Sequence, residues 1–283
     1  MNSARTKKIL LTAAMLAVFG LLRIPFEDRI QQRLIDDQLL PPPPEIGLLD
    51  QMGQSAFLAT LGGARSLVAV YMTLMAYDSW RYQDWEDLNA KYQVITSLNP
   101  KDEESWIAWG WHNAYNASAN MEIRDDWQQY RRPQDFTRED VADQFIDRGV
   151  EILRESVKNN PQSGKLYQEL GRVLWKKDND PCAAAVAYER AKNLPGSLGF
   201  TVRFQGYCMA QCSGREQEAY DYLIGLYHQG KKHRTESVIV TLKKLEKTLD
   251  IPFILRIRDW EKDLRIRHDL EMEDAGANMP WIP

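Results

Sequence analysis

Tyr167-Gln168-Glu169-Leu170-Gly171-Arg172-Val173-Leu174, followed by Ala184-Ala185-Val186-Ala187-Tyr188-Glu189-Arg190-Ala191 and then Pro195, is the passage whose reading decides the fold. Tyr167, Leu170, Gly171 and Leu174 share one helical face, and Ala184, Tyr188 and Ala191 share another. Small residues at Gly171 and Ala184 let two backbones approach closely, and the aromatic side chain fills the space beside them. The glycine cadence returns at Trp106-x-x-Trp109-Gly110 and, degraded, at Val202-x-x-Gln205-Gly206. Recurrence of a two-helix unit at a period of roughly 34 residues predicts an array of helix pairs.

Working outward, the pattern predicts four unequal pairs. The first covers about 65–82 and 84–98, with Leu88, Tyr92 and Ile95 turned inward and Pro100 closing it. The second starts near Glu103, runs through Ala114-Tyr115-Asn116 and resumes at Val141 to Lys158, with an insertion at about 118–140. The end of that insertion carries a helix-start signal, Thr137 with Asp140 three residues on and Phe136 before it. The fourth pair uses Gly206 and Met209, a turn at Ser213-Gly214, and Ala219, Leu223 and Leu226. Thr235 to Leu249 is expected to be a capping helix, and Phe253 to Leu270 a last amphipathic one. The uncharged stretch Ser66 to Tyr77 is too short to span a bilayer and is expected to be a helix buried on both sides.

These residues resemble the tetratricopeptide repeat over roughly 65–228. The short amino-terminal anchor, Leu61-Gly62-Gly63-x-Arg65 and Trp109-Gly110-x-x-Asn113-Ala114-Tyr115-Asn116 are similar to uncharacterised membrane-anchored repeat proteins of bacteria. The resemblance implies an all-α fold, a right-handed solenoid of antiparallel helix pairs that binds a protein or peptide in the groove formed by the first helix of each pair. Aligned on that pattern, the groove-facing residues are Tyr77, Trp80, Ile107, Trp111, Gln168, Arg172, Trp175, Arg203 and Tyr207. Aromatic and arginine side chains are enriched at binding hot spots. The competing reading is that the insertion or the carboxy-terminal helices fold into the groove and make these residues core. The carboxylate clamp of some such arrays needs Lys and Asn where this chain has Thr73 and Tyr77, so that ligand is not expected.

The amino end sets Arg5, Lys7 and Lys8 before the uncharged run Ile9 to Leu22, with Arg23 after it. A basic segment before an apolar one is an export or anchoring signal. The run is short for a span, yet no small-residue cleavage site comes after it, which favours an uncleaved anchor over a signal peptide. Positive charge before the run places the remainder of the chain outside the cytoplasm. With the bacterial resemblance, the expected location is the inner membrane, single-pass, with the carboxy-terminal domain in the periplasm. The domain reading is an anchor at 1–27, a juxtamembrane helix and proline-rich linker at 28–47, helical repeats at 48–230, capping helices at 231–270 and a tail at 271–283. Pro41 to Pro44 make the linker a semi-rigid spacer, and Leu48 to Leu61 is apolar enough for a helix ending at Gly62-Gly63.

A chain of 283 residues with 44% hydrophobic content buries a sizeable core, and its net charge of -4 argues against nucleic acid as a partner. The stretch 231–268 holds eleven basic and six acidic residues, which reads as a solvated face or as a contact for an acidic partner or lipid head groups. Cys182 and Cys212 fall on the same side of the predicted stack, so a disulfide between them is geometrically reasonable, with Cys208 left free; three small core residues is the alternative. No metal spacing links His112, His228, His233 and His268, and no phosphate loop or nucleophile elbow occurs. Neither cofactor nor metal nor catalytic residue is expected. Asn116-Ala117-Ser118 matches a glycosylation triplet inside a predicted helix.

The function these features support is a membrane-anchored helical-repeat scaffold that binds a partner protein or peptide in an envelope complex, not an enzyme. A structural subunit of a larger membrane assembly, its groove occupied, is the alternative. An enzyme is a weaker one.

Overall fold

The computed structural model describes Arg29, Arg33 and residues 65–131 and 133–257. Every regular element among them is helical. The expectations for Ile9 to Leu22, Pro41 to Pro44, Leu48 to Leu61 and the tail at 271–283 lie outside the described residues. No helix among the described residues is long and apolar enough to cross a membrane. The chain divides into two compact units, Met1–Ser105 and Trp106–Pro283.

In the first unit α1 (Arg65–Tyr82) packs against α2 (Trp85–Leu98). The turn between them is tight. Gln83 takes a left-handed φ of 59°, and the Asp84 amide donates to the Ser79 carbonyl at 2.9 Å. Asp84 then caps α2 by accepting from the Asp87 amide at 3.1 Å, satisfying one of the donors a helix start leaves open. Ser79 Oγ donates to Asp87 at 2.6 Å and Lys91 pairs with the same carboxylate, which ties the helices together at that end. Leu88, Tyr92 and Ile95 are buried, as the pattern predicts.

Two-sided burial of α1 does not hold. Only Val68, Ala69, Met72, Ala76 and Ser79 are covered, while Leu67, Val70, Tyr71, Leu74 and Met75 are exposed. The small residues let α2 approach one face closely, and among the described residues α2 is the helix that packs on α1.

The second unit holds the remaining pairs, its first helix α3 (Glu103–Trp111) starting just before the unit boundary. A π-helical turn, His112–Ala117, carries α3 directly into α4 (Ser118–Ile123). The insertion therefore starts later than the expected 118. Ser118 does not break the helix because its hydroxyl donates back to the Ala114 carbonyl at 2.7 Å. The chain after α4 contains a 3-10 turn, Trp127–Tyr130, and packs on α5 (Arg138–Asn159), where Tyr130 meets Phe145 edge to face at 5.7 Å. Arg138 donates to the carbonyls of Met121 and Glu122 at 3.2 and 2.8 Å, closing the end of α4. Thr137 and Asp140 form the reciprocal capping box that their spacing predicts.

The third pair is α6 (Gly164–Lys176) with α7 (Pro181–Ala191), and the fourth α8 (Thr201–Met209) with α9 (Glu216–His228). Ser163 and Asp180 cap the third pair's helices, accepting from Leu166 and Ala183 amides at 3.1 and 2.9 Å. Cys212 lies three residues beyond α8, in the turn before α9. α10 (Glu236–Thr248) packs on α8 and α9 through Val238, Leu242 and Leu245. Beyond it Phe253–Leu255 is a 3-10 turn and Arg256 is extended, so the expected helix does not start at Phe253. A tertiary tie holds this stretch out of a helix: the Ile257 amide donates to buried Glu246 at 2.7 Å, and Arg256 Nε to the Ile251 carbonyl at 2.7 Å.

The glycine cadence has one structural meaning in all three pairs. A Cβ added to Gly171 would stand 3.1 Å from the Tyr188 ring, one on Gly110 would stand 2.8 Å from Leu153 Cγ, and one on Gly206 2.7 Å from Leu223 Cγ. The interval from 171 to 188 is 17 positions, and from 206 to 223 again 17; from 110 to 153 it is 43 because the insertion lies inside the pair. Each glycine receives a large side chain from the second helix of its own pair, and Gly206 faces Tyr222 at 3.1 Å as well. Gly149, outside the cadence, adds an approach to backbone: its Cβ would meet Ala114 Cβ at 2.7 Å and the Gly110 carbonyl at 2.9 Å.

Candidate functional site

The candidate site in the second unit is built on the first helices of successive pairs. On α6, Glu169 and Arg172 are three apart, Arg172 and Lys176 four, and so they share a face. Trp111 of α3 donates through Nε1 to Glu169 Oε2 at 3.0 Å, and Arg172 pairs with the other carboxylate oxygen at 3.3 Å. The Arg172 guanidinium also lies 5.7 Å from the Trp111 ring centre. Trp111 stacks on Tyr115 at 4.4 Å with the planes 21° apart, and the Lys177 ammonium sits 5.3 Å from the Tyr115 ring. Burial raises the Tyr115 hydroxyl's pKa, with nearby Arg172 opposing and Glu169 adding to the shift.

Towards the next pair, Trp175 donates through Nε1 to Gln211 at 3.0 Å. Its ring meets Phe204 edge-on at 5.3 Å and lies 6.4 Å from Tyr207 of α8, while Lys176 covers it at 3.3 Å. Tyr207 reaches Thr235, the residue before α10, at 3.4 Å. The result is a set of aromatic rings and cations spread over α3, α6 and α8, with the buried Glu169 carboxylate bonded to Trp111 and Arg172. Such a surface offers ring faces to apolar groups and guanidinium or ammonium donors to carboxylates.

The expected groove residues fare differently. Trp111, Arg172, Trp175 and Arg203 are half-buried; the structure brings Trp111 and Arg172 together in one set of contacts and Trp175 and Tyr207 in another, both resting on α6. Tyr207 is buried. Ile107 packs against the core. Gln168 is 2% exposed, and its side-chain oxygen already accepts from the Leu198 amide at 3.1 Å and the Thr201 hydroxyl at 3.0 Å. It ties α6 to the chain entering α8 and is not open to a ligand; the helical register placed it correctly, but the loop that covers it has no periodic signature. Tyr77 and Trp80 belong to the first unit, where they are exposed with ring centres 5.6 Å apart. Thr73, in the clamp slot, turns its hydroxyl to its own helix, donating to the Ala69 carbonyl at 2.9 Å.

Sequence reasoning missed Tyr115, Glu169, Lys176, Lys177, Phe204 and Gln211. The (i, i+3) spacing of Glu169 and Arg172 was the one available signal.

Cys182 and Cys212 are joined, with S–S 1.99 Å and Cα atoms 4.9 Å apart. Cys208 is free and buried, and burial pushes its thiol up to about 12. Burial lowers the His112 pKa, and the Asn116 amide lies 3.0 Å from its Nδ1, so the glycosylation triplet's amide is engaged. Among the described residues no group of three or more His, Cys, Asp or Glu is placed to hold a metal ion.

No protein-family model matches the chain. No curated protein matches it either. One solved structure that is similar is the crystal structure of MamA protein, 15% identical with a TM-score of 0.42 over 76% of this chain and 98% of that one. A likeness at that level decides nothing further, and the all-α fold rests on the helix pairs themselves.

Proposed function

We propose that this chain is a membrane-tethered scaffold of tetratricopeptide type, a right-handed stack of helix pairs that binds a partner protein or peptide of the bacterial envelope. The binding surface is the aromatic and cationic run through Trp111, Tyr115, Arg172, Trp175 and Tyr207. One observation carries this reading: the half-buried Trp111 and Trp175 are each held by a hydrogen bond from their indole nitrogen, to Glu169 and Gln211, so that both rings are preorganised at the surface. Preorganised aromatic side chains lose little further freedom on binding. The packing of the insertion on α5 favours a groove open to a partner over one filled by residues 118–140. Tethering is supported by the basic residues before Ile9 to Leu22, and an oxidising compartment by the Cys182–Cys212 bond.

The test is crosslinking and pull-down of the full chain from membranes, with Trp111→Ala and Trp175→Ala beside the natural protein and thermal melts to confirm folding. Loss of a specific partner in both folded variants is the expected result. Retention of every partner would remove the groove from consideration.

A further inference from the structure

The two indole nitrogens of the candidate surface are held in unlike ways. Trp111 donates to Glu169, which is 6% exposed and also pairs with Arg172, so water has little access to the bond. Trp175 donates to Gln211, 36 positions away, and Gln211 is exposed. There water competes for both groups and two side chains give up rotamer freedom to meet, so the bond persists only where the backbones that carry it are already fixed. The turn's own backbone bonds, Cys212 to the Met209 carbonyl and Arg215 to the Cys212 carbonyl at 3.1 Å each, are local and do not reach α7. What does reach it is the disulfide one residue beyond Gln211, from buried Cys212 to Cys182 in the first turn of α7. Trp175 lies in the last turn of α6, so the hydrogen bond and the disulfide both join the α6–α7 end of the third pair to the α8–α9 turn of the fourth.

We propose that the Cys182–Cys212 bond is a thiol–disulfide exchange site that controls the Trp175 half of the surface: reduction by a dithiol frees the turn carrying Gln211, and Trp175 loses its fixed pose while Trp111 keeps its own. Cys182 is exposed and Cys212 buried, so the incoming thiolate attacks Cys182 Sγ. The bond between the two sulfurs breaks, its electron pair leaves with Cys212 Sγ, which takes up a proton, and a mixed disulfide forms at Cys182. The reductant's second thiolate then attacks the reductant sulfur of that mixed disulfide and releases Cys182, which is protonated in turn. The protein gains two electrons and two protons, and the dithiol becomes a disulfide. Phe204, Tyr207 and Lys176 still border the Trp175 ring, but none of them offers its indole N–H an acceptor in place of Gln211. That a released ring binds a partner less well rests on the partner-binding reading; the release itself does not.

The test uses the full chain labelled isotopically at its indole nitrogens, with the two signals assigned by Trp111→Phe and Trp175→Phe. The natural protein is reduced with dithiothreitol and capped with iodoacetamide; Cys182→Ser combined with Cys212→Ser gives the open state without either reagent. Expected are capping of Cys182 ahead of Cys212, several-fold faster exchange of the Trp175 N–H with water, a shift of its signal to the position found in oxidised Gln211→Ala, and an unmoved Trp111 signal. A Trp175 signal that stays put in the open state overturns the proposal, as does a disulfide that dithiothreitol opens only in denaturant. Loss of both signals from their folded positions also overturns it, since the bond then holds the fold and not the turn. Pull-down separates the two readings. A released Trp175, with every partner retained by folded Trp175→Ala, sinks the partner-binding reading alone; an unmoved Trp175, with a partner lost by that variant, sinks the redox control alone.

Discussion

The Tyr188 ring lies directly over the α-carbon of Gly171, so close that a methyl group there would sit 3.1 Å from three ring atoms. Tyr188 is completely buried. The contact sets how near α6 and α7 come, and the equivalent contacts of Gly110 and Gly206 set it in the neighbouring pairs.

Substitution of these glycines is expected to separate two costs. Gly171→Ala displaces a ring by a few tenths of an ångström but gains alanine's helix propensity, for a net loss of about 1 kcal/mol. Gly149→Ala meets backbone atoms of α3 and of the π-helical turn, at 2.9 and 3.0 Å, that have no such freedom, for a loss of about 3 kcal/mol. Urea denaturation of the two variants checks the order; equal losses would mean that Tyr188 is as immobile as backbone.

The Cys182–Cys212 bond closes a loop with a sequence separation of 30. By the loop-entropy relation its removal should cost about 3 to 4 kcal/mol. Paired alanine substitution, read by urea denaturation, should show that loss. Iodoacetamide should leave Cys208 unmodified in the folded, oxidised protein, because its thiol is buried and held protonated.

Trp111, Glu169 and Arg172 act as one unit. Trp111→Phe removes the indole donor from a buried carboxylate and should cost about 1 to 2 kcal/mol beyond the loss of ring area. A double-mutant cycle with Glu169→Gln should give a coupling above about 0.5 kcal/mol. Additive losses would show that the hydrogen bond contributes nothing of its own.

Asp147 and Asp178 should make the fold less stable as pH rises. Burial raises Asp178 first, then the charges of Asp147 and Asp180, with Arg154 opposing; burial, Asp143 and Glu151 raise Asp147. Both folded values lie above the unfolded ones, so the folded state holds these protons more tightly. Stability then falls as pH climbs from the ordinary carboxylate value, about 4, through the raised ones, and stays lower above them. Asp178→Asn should melt higher than the natural protein at neutral pH and at the same temperature in acid. A constant difference across the pH range would place the effect elsewhere.

The cadence of glycines, the box at Thr137 and Asp140 and the inward positions of α2 were legible because each is a local pattern with a fixed helical period. Gln168 shows the limit. Its register identified the surface of α6 it occupies, but the cover over it comes from Leu198 and Thr201, thirty or more positions away and in no periodic relation to it. Ser118 misled for the opposite reason: read as the start of an insertion, it continues its helix by bonding within it.

Sequence by itself therefore determined the helices, their pairing and the residues at which paired backbones touch, since those come from periodicity and from the absence of a side chain at glycine. Tertiary structure alone decided that α1 has one exposed face, that Glu169 is buried between Trp111 and Arg172, and that residues 253–257 are held short of a helix by Glu246. Those outcomes depend on what lies across from a residue, and a chain's local pattern carries no record of its distant neighbours.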